Sequence, residues 1–362
     1  MALFGHHGHH GHHGHHGHHG HHGHHGHHGM MAGADPSALA ISAEGIMGFW
    51  DGSAHLPLPA ERNDPWLNYS RMQPDARMVV MAAETAPLFQ VTKTGTALTL
   101  ATAGSPILSL TPPKISDLQD QLKYLRSAAD LRADRMPEIM MQAGDMLSFY
   151  GSLFNLHPAR KRWTMELLAA AYQCVILPEM QMKRHASLPR PFDFSRQLQP
   201  IIETPAHSTY PSGHATEAFA FATLLSALAF AGAKSADPAA AVVAQAEAGA
   251  ANATTPEMIP FRLAARIAEN RTVAGVHFPV DSAHGALLGL ATGLRFVAAC
   301  ATTAVTLPTW AADGPGWKSS FTIDLWCKSL TPWKLAATLA TPAADPFSPL
   351  AMLWGEAVKE WA

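Results

Sequence analysis

The chain has 362 residues, 48% of them hydrophobic and only 15% charged, with a formal net charge of −3. That is enough apolar chain to bury a sizeable core in one large domain with additions, and too little positive charge to wrap a nucleic-acid backbone. Three scattered cysteines, Cys174, Cys300 and Cys327, are too few and odd in number for a disulfide framework, so they read as small core residues in a reducing compartment.

Residues 5–29 repeat Gly-His-His eight times and hold sixteen of the 23 histidines. Such a tract cannot bury a core, so residues 1–29 are expected to be a disordered tail. It reads either as an affinity tag or cloning addition, or as a reservoir for a divalent metal bound through neutral imidazoles. No basic stretch followed by an apolar one marks a secretory signal, and the expectation is a cytoplasmic protein.

Residues 30–115 read as a proline-bearing lead-in with Trp50 and Trp66, ending in a short β-hairpin. Its strands are Leu88–Thr92 and Ala97–Leu100, joined through Gly95 at positive φ. From Ser116, taken as a cap, Leu118, Leu122, Leu125, Ala129 and Leu131 recur at mostly three- and four-residue spacing, which predicts a helix. Further helices are predicted at Pro137–Leu153, Pro158–Met182, Ser212–Gly232, Ala239–Ala250, Pro256–Ala274 and Pro279–Val305, several opening on a proline that suits the first turn. Residues 116–306 thus read as a helical bundle, and the fold class as all-α with one minor β-hairpin. The apolar runs at Ala218–Ala233 and Ala286–Leu307 read as buried helices of a soluble protein without a membrane span. The first falls short of about 20 residues and Arg295 interrupts the second. Residues 307–362 form a Trp/Pro-rich extension packing on the bundle. Its six tryptophans, in pairs seven apart, suit core packing or contact in a homo-oligomer.

Three segments carry chemistry. Pro211-Ser212-Gly213-His214 stands just before an apolar helical run. The N–H groups of Ser212, Gly213 and His214 would therefore sit unpaired at a helix N-terminus, a cradle for an anion. Ser212 adds a hydroxyl and His214 a proton shuttle, although the tetrapeptide taken alone favours a plain Pro-Ser-Gly cap followed by an incidental His. Lys183 and Arg190 lie seven residues apart where Pro189 and Pro191 turn the chain, so a point charge and a planar fork can reach one cleft; singly, each reads as a solvated cation. Arg271 closes a helix, and Asp281, four residues after His277, can hold one ring nitrogen and leave the other facing the anion. A capping Asp beside a core His is the other reading.

Together these segments match Lys-x6-Arg-Pro, Pro-Ser-Gly-His and Ser-Arg-x5-His-x3-Asp, with Asn270 in place of the Ser. The middle third of the chain thereby resembles the superfamily of type 2 phosphatidic acid phosphatases, bacterial acid phosphatases and vanadium-dependent haloperoxidases. The resemblance implies a helical bundle of the haloperoxidase/acid phosphatase type. It also implies that Lys183, Arg190 and Arg271 clamp the oxygens of vanadate or phosphate, with Ser212 and the Gly213 amide as further donors. His277 would be the vanadium ligand or the nucleophile, Asp281 its orienting carboxylate and His214 the distal acid/base. His207 stands where algal bromoperoxidases of this superfamily place a second distal His, near the halide, and the long helical region before Lys183 is similar to the haloperoxidase branch. Met180 and Arg190-Pro191-Phe192 point to other branches. The leading expectation is a vanadate-dependent haloperoxidase acting on hydrogen peroxide and halide. A soluble acid phosphatase working through phosphohistidine is the first alternative, and a non-catalytic His-rich metal-binding protein the second.

Overall fold

Prolines set the first helices: α1 (Pro65–Ser70) opens on Pro65 with the Asp64 carboxylate accepting from the Leu67 N–H at 3.0 Å, and α2 (Pro74–Thr85) opens on Pro74. The molecule is described here from a computed structural model, which describes residues 63–362 and positions 41, 52–54, 56–59 and 61. The Gly-His-His tract with its expected disorder and metal binding, and Trp50, lie outside the described residues.

Three antiparallel strands follow, β1 (Gln90–Thr94), β2 (Ala97–Thr102) and β3 (Ser105–Thr111). Gly95 turns the first hairpin at φ 60° as expected, and Ala103 and Gly104, at φ 47° and 79°, turn a second. Two central residues at positive φ make the tight turn that matches strand twist, a role usually written Asn-Gly or Asp-Gly, so Ala103 concealed it. The helices are α3 (Ile115–Ala128), α4 (Arg132–Gly144), α5 (Leu147–Phe154), α6 (Arg162–Ala186), α7 (Pro191–Phe194), α8 (Gly213–Gly232), α9 (Pro238–Ala248), α10 (Ile259–Val273) and α11 (Pro279–Cys300). Ser116 is not the cap of α3. Asp117 instead accepts from the Lys114 N–H at 2.8 Å. The single helix expected over Pro137–Leu153 is two, divided at Asp145, whose carboxylate takes the Ser148 N–H and so starts α5.

The all-α expectation understates the sheet. After α11 come β4 (Val305–Asp313), α12 (Ile323–Trp333), β5 (Lys334–Thr341) and α13 (Pro349–Lys359), and the strands form one five-stranded sheet in the order β1-β2-β3-β4-β5. β4 runs parallel to β3, Leu108 opposite Trp310, and antiparallel to β5. α11 therefore stops at Cys300, and Val305 opens a strand instead of closing a helix.

α8 and α11 form the centre of the bundle and approach backbone to backbone: a Cβ added to Gly285 of α11 would lie 2.6 Å from the Ser212 carbonyl oxygen. Both helices, 20 and 22 residues long, are long and apolar enough to cross a membrane by length and composition. The share of each apolar window buried inside the protein is 72% and 89%. α8 matches the helix expected over Ser212–Gly232 to within one residue. Phe219 of α8 packs against Phe261 and Trp326, its ring centroid 4.6 Å from that of Trp326, so a tryptophan of the C-terminal extension belongs to the core.

Candidate oxyanion site

Four loops and helix ends converge at the N-terminus of α8. α6 runs one turn beyond its expected end and carries Lys183 on its last turn, fully buried. The Lys183 ammonium donates to the Pro211 carbonyl and, at 3.4 Å, to that of Ser208, so the side chain is drawn to the turn before α8. Burial lowers its pKa to about 8, against the pull of Glu179.

Arg190, just before α7, is anchored from both sides. Its Nε donates to the His207 carbonyl at 3.0 Å and its Nη1 to that of Val276 at 3.0 Å. The same Nη1 lies 3.2 Å from His277 Nε2, and Nη2 lies 3.1 Å from His207 Nδ1. His207 itself is exposed, at the rim.

His277 precedes α11, in whose first turn Asp281 stands. Asp281 Oδ2 is 3.1 Å from His277 Nδ1 and accepts from the Phe278 N–H at 2.9 Å and from the Thr209 hydroxyl at 2.5 Å. The two readings of this aspartate are therefore not alternatives, since it caps α11 and orients the imidazole together. With Nδ1–H donated to the carboxylate, Nε2 keeps its lone pair and faces Arg190. Burial, and then the Arg190 and Lys183 charges, hold His277 well below the usual histidine range, so the ring is neutral. Burial pushes Asp281 up to about 6, although its donors and Arg190 pull the other way.

Ser212 corrects the sequence reading in one respect. Its N–H is not free but donates to the Asp281 carbonyl at 3.0 Å, tying α8 to α11, and its hydroxyl oxygen accepts from the Ala215 N–H as an N-cap. Gly213 and His214 remain as first-turn amides without an intrahelical acceptor. The His214 ring is half-buried, and packing and the Arg271 guanidinium hold its pKa well below normal.

Arg271 lies on the last turn of α10 and is wholly buried. Nη2 donates to Gln142 Oε1 at 2.9 Å and to the Ile139 carbonyl at 3.3 Å, whereas Nε and Nη1 have no partner. Asn270, in place of the expected Ser, donates to the same Gln142 oxygen at 3.0 Å. It thus positions the residue that positions Arg271. Gln142 and Thr209 escaped the sequence reading; Thr209 stood beside the quoted turn, and Gln142 gave no signal. Lys183, Arg190, Ser212, Gly213, Arg271, His277 and Asp281 are thus gathered around the start of α8, with His214 half-buried and His207 exposed beside them. Among the described residues no group of three or more His, Cys, Asp or Glu is placed to hold a metal ion.

Residues 163–304 match the family model of the PAP2 superfamily, a segment that contains Lys183, Arg190, His207, Ser212, Gly213, His214, Arg271, His277 and Asp281 but not Gln142. The match makes this helical region similar to that superfamily. No curated protein matches the chain.

Proposed function

We propose that the protein hydrolyses a small phosphomonoester, with His277 as the nucleophile. The observation that carries this is a buried imidazole whose Nδ1 is held by Asp281 and whose Nε2 points at a guanidinium 3.2 Å away. That is the orientation an in-line attack on a clamped anion needs. Lys183, Arg190 and Arg271 hold the three non-bridging oxygens, and Ser212 and the Gly213 amide add donors where charge develops. Nε2 attacks phosphorus, the P–O bond to the alcohol breaks, and His214 gives its proton to the leaving alkoxide. Water then displaces the phosphoryl group from His277, His214 taking the proton. Burial, and then the Arg271, Lys183 and Arg190 charges, depress His214 in the free site; the arriving dianion offsets the charges and so favours the protonated ring.

A vanadate-dependent haloperoxidase is the second reading, favoured by His207 bonded to Arg190 at the rim. The residues fit vanadate, since two unpartnered Arg271 nitrogens await an acceptor. Lys183, Arg190, Ser212, Gly213 and Arg271 would hold its oxygens and His277 Nε2 the metal. When bound, vanadate supplies peroxide activation for halide oxidation. The metal-binding reading rests on the histidine tract and has no support among the described residues.

The test is a p-nitrophenyl phosphate assay beside an assay with vanadate, hydrogen peroxide and bromide. Phosphate release that disappears in His277→Ala supports the hydrolase. Bromination without hydrolysis would overturn it in favour of the second reading.

A further inference from the structure

A buried carboxyl group that the hydrolytic steps leave unused lies against the cradle. Glu179 stands one helical turn before Lys183 on α6, so one face of that helix carries both, with Glu179 Oε1 3.9 Å from Lys183 Nζ. Its other flank is Gly213, where a Cβ would lie 2.6 Å from Glu179 Oε1 and 3.2 Å from its carboxyl carbon. The carboxyl group therefore abuts the residue whose amide opens α8. It is 4% exposed, and its Oε2 has no hydrogen-bond partner.

An anion held by Lys183 and the Gly213 amide would bring a second negative charge against this buried carboxylate, which neither charge tolerates. The ionisable groups facing Glu179 are Lys183 and Tyr172 on its own helix, Arg190 from the following loop, and Glu217 on α8, one turn beyond Gly213. Across the cradle stand His214, Arg271, His277 and Asp281. Burial raises Glu179 against the pull of Lys183 and Arg190, and burial together with Glu179 pushes Glu217 up to about 8. The acidic side of the site thus holds protons readily.

We infer that Glu179 is a proton-holding residue of the oxyanion site, a carboxylate balancing Lys183 when the cradle is free and a carboxylic acid donating to the anion when it is filled. The inference rests on the cradle proposed above. Binding consumes one proton from solvent beyond those the anion itself exchanges. Affinity accordingly weakens by about tenfold per pH unit once Glu179 must be protonated to admit the anion.

Calorimetric titration of the full chain with inorganic phosphate at about pH 8, in two buffers of different ionisation enthalpy, counts the protons taken up. The wild type should take up about one more proton per phosphate than Glu179→Gln; equal counts overturn the inference. Infrared difference spectra of the wild type with and without phosphate keep the test open if the variant does not fold. A protonated-carboxyl stretch should appear on binding, and its absence overturns the inference as well. Arg271→Ala separates the two proposals. Phosphate affinity that survives this change defeats the cradle itself, whereas Arg271-dependent binding with equal proton counts defeats only the role of Glu179.

Discussion

Two clusters of buried charge in this protein are built to opposite rules. Where α1, α2 and α6 meet, Arg77 Nε and Nη2 clasp both oxygens of Glu166 at 2.8 and 2.7 Å, Nη1 donates to the Met72 carbonyl, and the Tyr69 hydroxyl donates to Glu166 at 2.6 Å. At the start of α8, Arg271 Nε and Nη1, Asp281 Oδ1 and Glu179 Oε2 are all buried without a partner. A buried charge pair holds a fold only when its hydrogen bonds are complete. The first cluster meets that condition, and the second departs from it where a tetrahedral anion would supply the acceptors that Arg271 Nε and Nη1 lack, while Asp281 Oδ1 and Glu179 Oε2 lack donors. Unsatisfied buried groups raise the energy of the free state, and a ligand that satisfies them recovers it.

The largest expected effect falls on chemistry alone. His277→Ala should lower phosphate release by at least about a thousandfold, with thermal unfolding within a few degrees of wild type. Unfolding as severe as the loss of activity would make the cradle a structural cluster like the first and erase the contrast.

Stability gives the next effect. Arg77→Ala strands Glu166 and should cost about 3–5 kcal/mol in urea denaturation, leaving KM unchanged. Arg271→Met removes two unpartnered donors together with the Nη2 bonds to Gln142 and the Ile139 carbonyl, so it should cost less stability than Arg77→Ala while phosphate binding is lost. If both variants lose the same stability, the distinction between the clusters is wrong.

The effect of pH is smaller and has two signs. Asp281, pushed up to about 6 in the folded chain from an unfolded value near 3.9, binds its proton more tightly folded than unfolded. Its contribution to stability is full below the unfolded value and is lost as pH rises through about 6. Activity needs the carboxylate to hold His277 Nδ1, so it should rise through the same range. Opposite slopes in a pH series of melting points and initial rates are expected for the wild type, and Asp281→Asn should flatten both.

The local parts of this architecture were legible in the sequence and the non-local parts were not. His277 and Asp281 are four residues apart, and the helices repeat their apolar residues at helical spacing, so both show in a short window. β4 was concealed because Pro308 reads as a breaker, and because its parallel partner β3, with Leu108 opposite Trp310, is separated from it along the sequence by all the helices from α3 to α11. Gln142 reaches Arg271 from α4 through a contact between distant stretches of chain, which no local pattern announces. Glu179 was not read from the sequence, although it stands one turn before Lys183. Its closeness to Gly213 depends on how α6 meets α8.

The smallest predicted effect concerns the support of the turn before α8. The Tyr210 hydroxyl lies 2.6 Å from His284 Nδ1, both wholly buried, and His284 Nε2 has no partner. Burial drives His284 down to about 3 and raises the Tyr210 hydroxyl well above its usual value, so both are neutral and the hydroxyl donates to Nδ1. Tyr210→Phe strands that nitrogen and should cost about 1–3 kcal/mol in urea denaturation. Activity should fall by less than about tenfold, because Lys183 is held by the Pro211 carbonyl, which the change leaves in place. Adding His284→Leu removes the stranded acceptor and should restore part of the loss, since an apolar pair costs less than one unpaired polar group. A double variant weaker than the sum of the single ones would mean that the imidazole acts through its packing against Trp333, 5.5 Å away, and not through the hydrogen bond.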